Sequence, residues 1–174
     1  MRKIGVAVAV VIALFVAFNV YYFLPRGTIA SITKTEVQRR EKKDATTGAD
    51  RSQDVLLIYA ADLETGDPLV FRNEDNIFYF KVDSSDIASQ ASKIGRDDPD
   101  GPVLIKYYGV RMPLFSAYPN VISLKQVPPD YEYVPWGSMI ILVILLVVFI
   151  WGGVKIRRMF QTAKQKITGR PGPS

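Results

Sequence analysis

The chain has 174 residues, no Cys, no His and a formal net charge of +5. Those absences exclude disulfides, thiol catalysis, haem ligation by histidine, most zinc sites and histidine acid–base chemistry. The charge is placed unevenly: Arg2, Lys3, Lys155, Arg157, Arg158, Lys164, Lys166 and Arg170 lie outside two apolar segments, while all 17 acids lie between them with the other 14 cations.

The ends therefore carry +8 and the section between them −3. This positive-inside pattern predicts cytoplasmic termini and a translocated central section, residues 26–132. A basic excess beside apolar segments suits anionic lipid headgroups, so lipid is the expected partner and nucleic acid is not.

After a three-residue cytoplasmic start, residues 4–25 are uncharged and predict a first transmembrane helix. Its apolar run exceeds the 7–15 residues usual in a signal peptide, and no clean A-x-A site follows it. Gly5, Ala9, Ala13 and Ala17 recur every four residues, the spacing of a helix-packing stripe. Asn19 is the one polar side chain before the terminal tyrosines, placed to reach headgroups or widen that contact face.

Residues 28–37 alternate as a strand should, and residues 38–53 mix both charges without an apolar period, which predicts a mobile, solvated loop. Asp54–Leu63 is apolar on both alternating faces and suits a central strand. Thr65-Gly66-Asp67-Pro68 signals a turn, with Pro68–Asp75 returning as hairpin partner. Asn76–Val82 (NIFYFKV) predicts a short aromatic strand. Asp83-Ser84-Ser85-Asp86 offers helix-capping chemistry for a short helix closed by Gly95, with Ile87, Ala91 and Ile94 on one face. Residues 102–111 and 120–127 predict two more strands, and the proline-rich residues 128–135 are extended.

Residues 133–154 contain no charge and predict a second transmembrane helix, with Trp136 and Trp151 near its ends. Beyond it, Ile156, Phe160, Ala163 and Ile167 follow helical spacing. The helix is thus expected to continue past Gly152-Gly153 into the basic tail, residues 155–174, with Lys155, Arg157, Arg158, Lys164 and Lys166 meeting anionic lipid. The expected fold class is a membrane α-helical hairpin of two transmembrane helices carrying a small β-rich α+β extracytoplasmic domain. Its element order fits an OB-like five-stranded barrel with one short helix, and equally a plain α+β sheet.

Catalytic and metal motifs are scarce. Arg96–Gly101 has the acids of a calcium loop, but the EF-hand alignment puts Arg96 at the first ligand position and Tyr107 where a bidentate Glu belongs. No P-loop, nucleophile elbow or GxGxxG occurs. No cofactor is expected. Arg72, Glu74, Asp75, Tyr108 and Arg111 stand out as candidate partner contacts or structural ion pairs, and Tyr107, Phe115 and Tyr118 as core or interface aromatics.

The segments LVFRNED, FKVDSSDI and YYGVRMPLFSAYPNVISL, set between two apolar spans, resemble a bacterial family of two-pass membrane proteins, domain of unknown function 1523. The resemblance implies a bacterial inner-membrane protein with a periplasmic domain and transfers no activity. The functional expectation is a non-enzymatic accessory or scaffold subunit of an envelope complex, with other membrane proteins as partners. The alternatives are a periplasmic module that binds a small ligand or envelope polymer and, more distantly, a carboxylate-based hydrolase.

Overall fold

The computed structural model describes residues 2–43, 50–82 and 84–168. They fall into two units, Met1–Pro135 and Trp136–Ser174. The first holds α1 (Arg2–Phe23), β1 (Arg26–Lys43), β2 (Asp50–Asp62), β3 (Pro68–Asn73), α2 (Ser84–Asp97), β4 (Val103–Tyr108) and β5 (Asn120–Gln126). The second holds one long helix, α3 (Trp136–Thr168).

The strands close a barrel in the order β1-β2-β3-β5-β4. With α2 between β3 and β4, this is the order of the OB fold. Strand β1 serves two neighbours: Arg26–Ala30 pair with β4, and from Ala30 onward it pairs with β2. A register shift between Ile32 and Lys34 lets it bend from one to the other. The barrel closes through a short parallel contact, Arg72 opposite Asn120.

Alternation along the strands sends Ile32, Ile58, Phe71, Val103, Ile105 and Val121 into the barrel. Ile87, Ala91 and Ile94 of α2 pack onto the same core, as their helical spacing predicts. Each isoleucine so buried contributes about 1.5–3 kcal/mol.

Three sequence expectations change. Residues 38–53 are not a loop throughout: β1 runs to Lys43 and β2 starts at Asp50, with Gln38 opposite Val55 and Lys43 opposite Asp50. A two-stranded ribbon extending beyond a barrel has no core face, so it shows no apolar period. Residues 44–49 lie outside the described residues. NIFYFKV is not a strand either: Ile77–Tyr79 form a 3-10 turn inside an isolated bridge between Asn76 and Lys81. Finally, α2 continues to Asp97 past Gly95. Gly95 is an approach point, because a Cβ there would lie 3.3 Å from the Ile32 side chain.

Among the described residues one stretch, Trp136–Lys155 of α3, is long and apolar enough by itself to cross a membrane; the apolar part of α1, Val10–Phe23, is shorter. Helix α3 continues unbroken through Gly152 and Gly153, as the apolar spacing of the tail predicts.

Candidate functional site at the helix–barrel junction

Only Leu24 and Pro25 separate α1 from β1. A helix leaves its last carbonyls without donors of its own, and here the barrel supplies them. The Gly109 N–H donates to Tyr22 O at 2.8 Å, and the Tyr79 hydroxyl donates to Phe23 O. Gly109 has φ +90°, a conformation that disfavours side chains, although a Cβ there would make only ordinary contact with Pro119 and the Tyr22 ring. The Arg26 guanidinium donates to Gly109 O and to Tyr21 Oη, and lies 4.6 Å over the Tyr21 ring.

Aromatic rings fill the joint. Tyr108, 2 % exposed, stacks on Tyr79 at 4.5 Å and on Phe23 at 6.3 Å, and meets Tyr22 edge-on at 6.4 Å. Burial, and next the neighbouring Tyr108, push the Tyr79 phenol up to about 12.

A polar network lies behind the rings. The Asn120 side chain accepts from the Glu74 N–H at 2.9 Å and donates to Glu74 O at 3.0 Å. A primary amide carries the donor and acceptor of a peptide unit, so Asn120 acts as an extra ladder rung where β3 meets β5. Its Nδ2 also donates to Tyr108 Oη at 2.9 Å, as does Asn76 Nδ2. The buried Lys81 ammonium donates to Asn73 Oδ1 at 2.5 Å and to Val121 O at 2.6 Å, while Asn73 Nδ2 donates to Ser84 O at 2.7 Å. Buried polar groups bonded to this extent fix one arrangement of the segments that carry them.

Residues 76–81 and 112–117 that flank this joint follow one backbone pattern. Each closes with two reciprocal bonds, Asn76 with Lys81 and Met112 with Ala117. Each holds a 3-10 turn, Ile77–Tyr79 or Pro113–Phe115, followed by a non-glycine residue at positive φ, Phe80 at 49° or Ser116 at 47°. Both tips are apolar and exposed: Ile77 80 %, Phe80 89 %, Leu114 93 % and Phe115 75 %.

A separate cleft of about 630 Å³ opens between the start of β1, the β2–β3 turn and residues 129–133. Asp62, Glu64, Asp130 and Glu132 line it with Tyr131 and Tyr133. Partial burial opposes ionisation of Asp62, but donors from Thr28 Oγ1 and from the Thr65 and Glu64 N–H groups outweigh it and hold the carboxyl below its usual range.

The residues singled out in the sequence divide by role. Arg72 pairs with Glu74 at 3.1 Å. Asp75 instead accepts the Ser84 N–H at 2.9 Å at the start of α2, and that bond, with one from the Ser84 hydroxyl, lowers its pKa. Tyr108 is a core residue and not a surface contact. Arg111 stands exposed, 3.9 Å over the Tyr118 ring, and donates to Ala117 O at 3.1 Å. Tyr107 is half-buried and packs 5.0 Å from Phe71. Asn19 Nδ2 donates to Phe15 O of its own helix at 2.8 Å.

Ala13 and Ala17 are exposed on α1, whereas the Gly5 and Ala9 side chains lie outside the described set. Lys155, Arg157 and Arg158 are exposed on α3, Lys155 lying 4.9 Å over Trp151. The side chains of Lys164 and Lys166, and those of the apolar spacing Ile156, Phe160, Ala163 and Ile167, fall outside the described set, as do residues 169–174. Among the described residues no group of three acids is placed to hold a metal ion.

Lys81 and Asn120 carried a signal in the sequence, each a lone polar residue beside an apolar run, whereas Asn73 sits inside the polar stretch Arg72–Asn76 and carried none. The matched tips gave no comparable signal, because their likeness lies in backbone and not in residue type.

The fold and site define a class: a five-stranded barrel of OB order, introduced by an apolar helix docked on it and followed by a second, longer apolar helix. The chain belongs to the family described as protein of unknown function (DUF1523), whose model matches residues 1–160. It is 32 % identical over 132 residues to an uncharacterised protein of Haemophilus influenzae, an alignment covering 70 % of this chain and 74 % of the relative. No solved structure matches. Asn73 and Glu74 of LVFRNED, Lys81 and Ser84 of FKVDSSDI, and Tyr108 and Gly109 of YYGVRMPLFSAYPNVISL all bond within the junction just described.

Proposed function

We propose that this is a two-span protein of the bacterial inner membrane, holding its barrel on the periplasmic side as a non-enzymatic accessory or scaffold subunit. The observation that carries the reading is the docking of α1: its final carbonyls accept from Gly109 and Tyr79 of the barrel, with two residues between helix and strand. If α1 spans, the barrel is held directly at the bilayer surface, a geometry suited to presenting a fixed face to neighbouring membrane proteins. The apolar run of α3 and the cations Lys155, Arg157 and Arg158 beyond it supply the other span and its anionic-lipid flank.

Reporters active only in the periplasm test the topology. A fusion near Gly48 should give signal and one at Ser174 none; signal at Ser174 overturns the orientation. Purification in mild detergent tests the role, since stoichiometric co-purifying subunits are expected. A second reading is favoured by the cleft above β1: acids and tyrosines together suit a cationic or polyhydroxylated ligand. Saturable binding of such a ligand by the purified full chain, lost in Asp62→Asn and without associated subunits, would move the assignment to a binding module.

A further inference from the structure

We infer that the two matched tips, residues 76–81 and 112–117, form a lipid-inserting surface that seats the barrel in the headgroup–acyl boundary beside the end of α1. This rests on the two-span reading of α1 and adds to it a second, peripheral attachment.

Position comes first. Tyr79, inside the first tip, bonds Phe23 O, and Gly109, three residues before the second, bonds Tyr22 O. Both tips therefore begin at the last turn of α1, whose Tyr21 and Phe23 are partly exposed aromatics of the kind that favour the interface.

Chemistry comes second. Positions 77–80 read Ile-Phe-Tyr-Phe and 113–116 read Pro-Leu-Phe-Ser, without a charge in either. Exposed Ile77, Phe80, Leu114 and Phe115 would otherwise be held in water, a large apolar display for so small a domain. Arg111 stands exposed at the root of the second tip, placed for a lipid phosphate.

Backbone comes third. Loops enter an apolar layer at a cost unless their N–H and C=O groups are bonded internally. The reciprocal pairs Asn76–Lys81 and Met112–Ala117, with Phe80 N–H to Ile77 O and Ser116 N–H to Pro113 O, bond the base and turn of each tip internally and lower that cost. Insertion is shallow, since such surfaces sink about 5–10 Å.

The natural absence of cysteine makes the test direct. Full-length Ile77→Cys, Leu114→Cys, Ile12→Cys and Asp67→Cys variants are labelled with an environment-sensitive fluorophore and reconstituted in phosphatidylethanolamine–phosphatidylglycerol vesicles. Labels at positions 77 and 114 should lose emission to lipids spin-labelled near the headgroup, less to lipids labelled at the chain end, and little to aqueous iodide. Position 67, in the β2–β3 turn, should show the reverse. Quenching of 77 and 114 by iodide with position 12 still quenched by lipid overturns the surface and leaves the span standing. Protection of 77 and 114 from both quenchers means a protein covers them, which also overturns it. Loss of lipid quenching at position 12 removes the span itself.

Discussion

Residues 76–81 and 112–117 share a backbone path, yet they spend their side chains differently. The first turns Asn76 and Tyr79 inward, onto Tyr108 and the end of α1, and keeps Ile77 and Phe80 outside. The second leaves Leu114 and Phe115 exposed and is held at its root by Arg111 on Ala117 O. The first loop clamps the joint through Asn76 and Tyr79 as well as presenting an apolar tip, and the second presents the more exposed leucine. Stability and surface chemistry are therefore separable by mutation in this molecule.

The largest effect is expected behind the clamp. Asn120→Ala strands the Glu74 N–H and C=O and removes a donor to Tyr108, at a cost of about 2–3 kcal/mol by denaturant unfolding of the full chain. A loss comparable to that of a surface substitution would mean the rung at the β3–β5 seam is not formed.

Tyr79→Phe removes the bond to Phe23 O and keeps the stacked ring, so it should cost about 1 kcal/mol. It also carries a pH signature. The folded pKa, about 12, lies above the ordinary tyrosine value near 10, so Tyr79 stabilises fully below about pH 10 and loses that contribution as pH rises towards 12. The variant should show a shallower alkaline loss than the parent. Equal alkaline profiles would place Tyr79 outside the joint.

The smallest effect belongs to the second tip. Leu114→Ser should alter stability by no more than about 0.5 kcal/mol, because the side chain is 93 % exposed. A large loss would show that the tip is packed and not presented.

This contrast also explains what the sequence made legible. Ile87, Ala91 and Ile94 announced the buried face of α2 because burial imposes the helical period directly. The succession of elements along the chain was legible because turns such as Thr65–Pro68 interrupt apolar runs, but it fitted an open sheet as well as the closed barrel. NIFYFKV misled because an aromatic-rich turn has the composition of a strand when burial is unknown. The ribbon in residues 38–53 misled for the opposite reason, since pairing without burial leaves no apolar mark. The junction was legible in part: the segments that carry the family resemblance meet there, but the bonds of Asn120 and Lys81 cross 40 to 46 residues of chain.

The rigid joint between α1 and the barrel is measured most directly by a distance. Spin labels at Ala13→Cys and Asp67→Cys in the full-length, bilayer-reconstituted chain should give one narrow distance distribution by pulsed electron resonance, broadened by Tyr79→Ala. A broad distribution in the parent protein would mean that α1 tethers the barrel flexibly, and would contradict the joint.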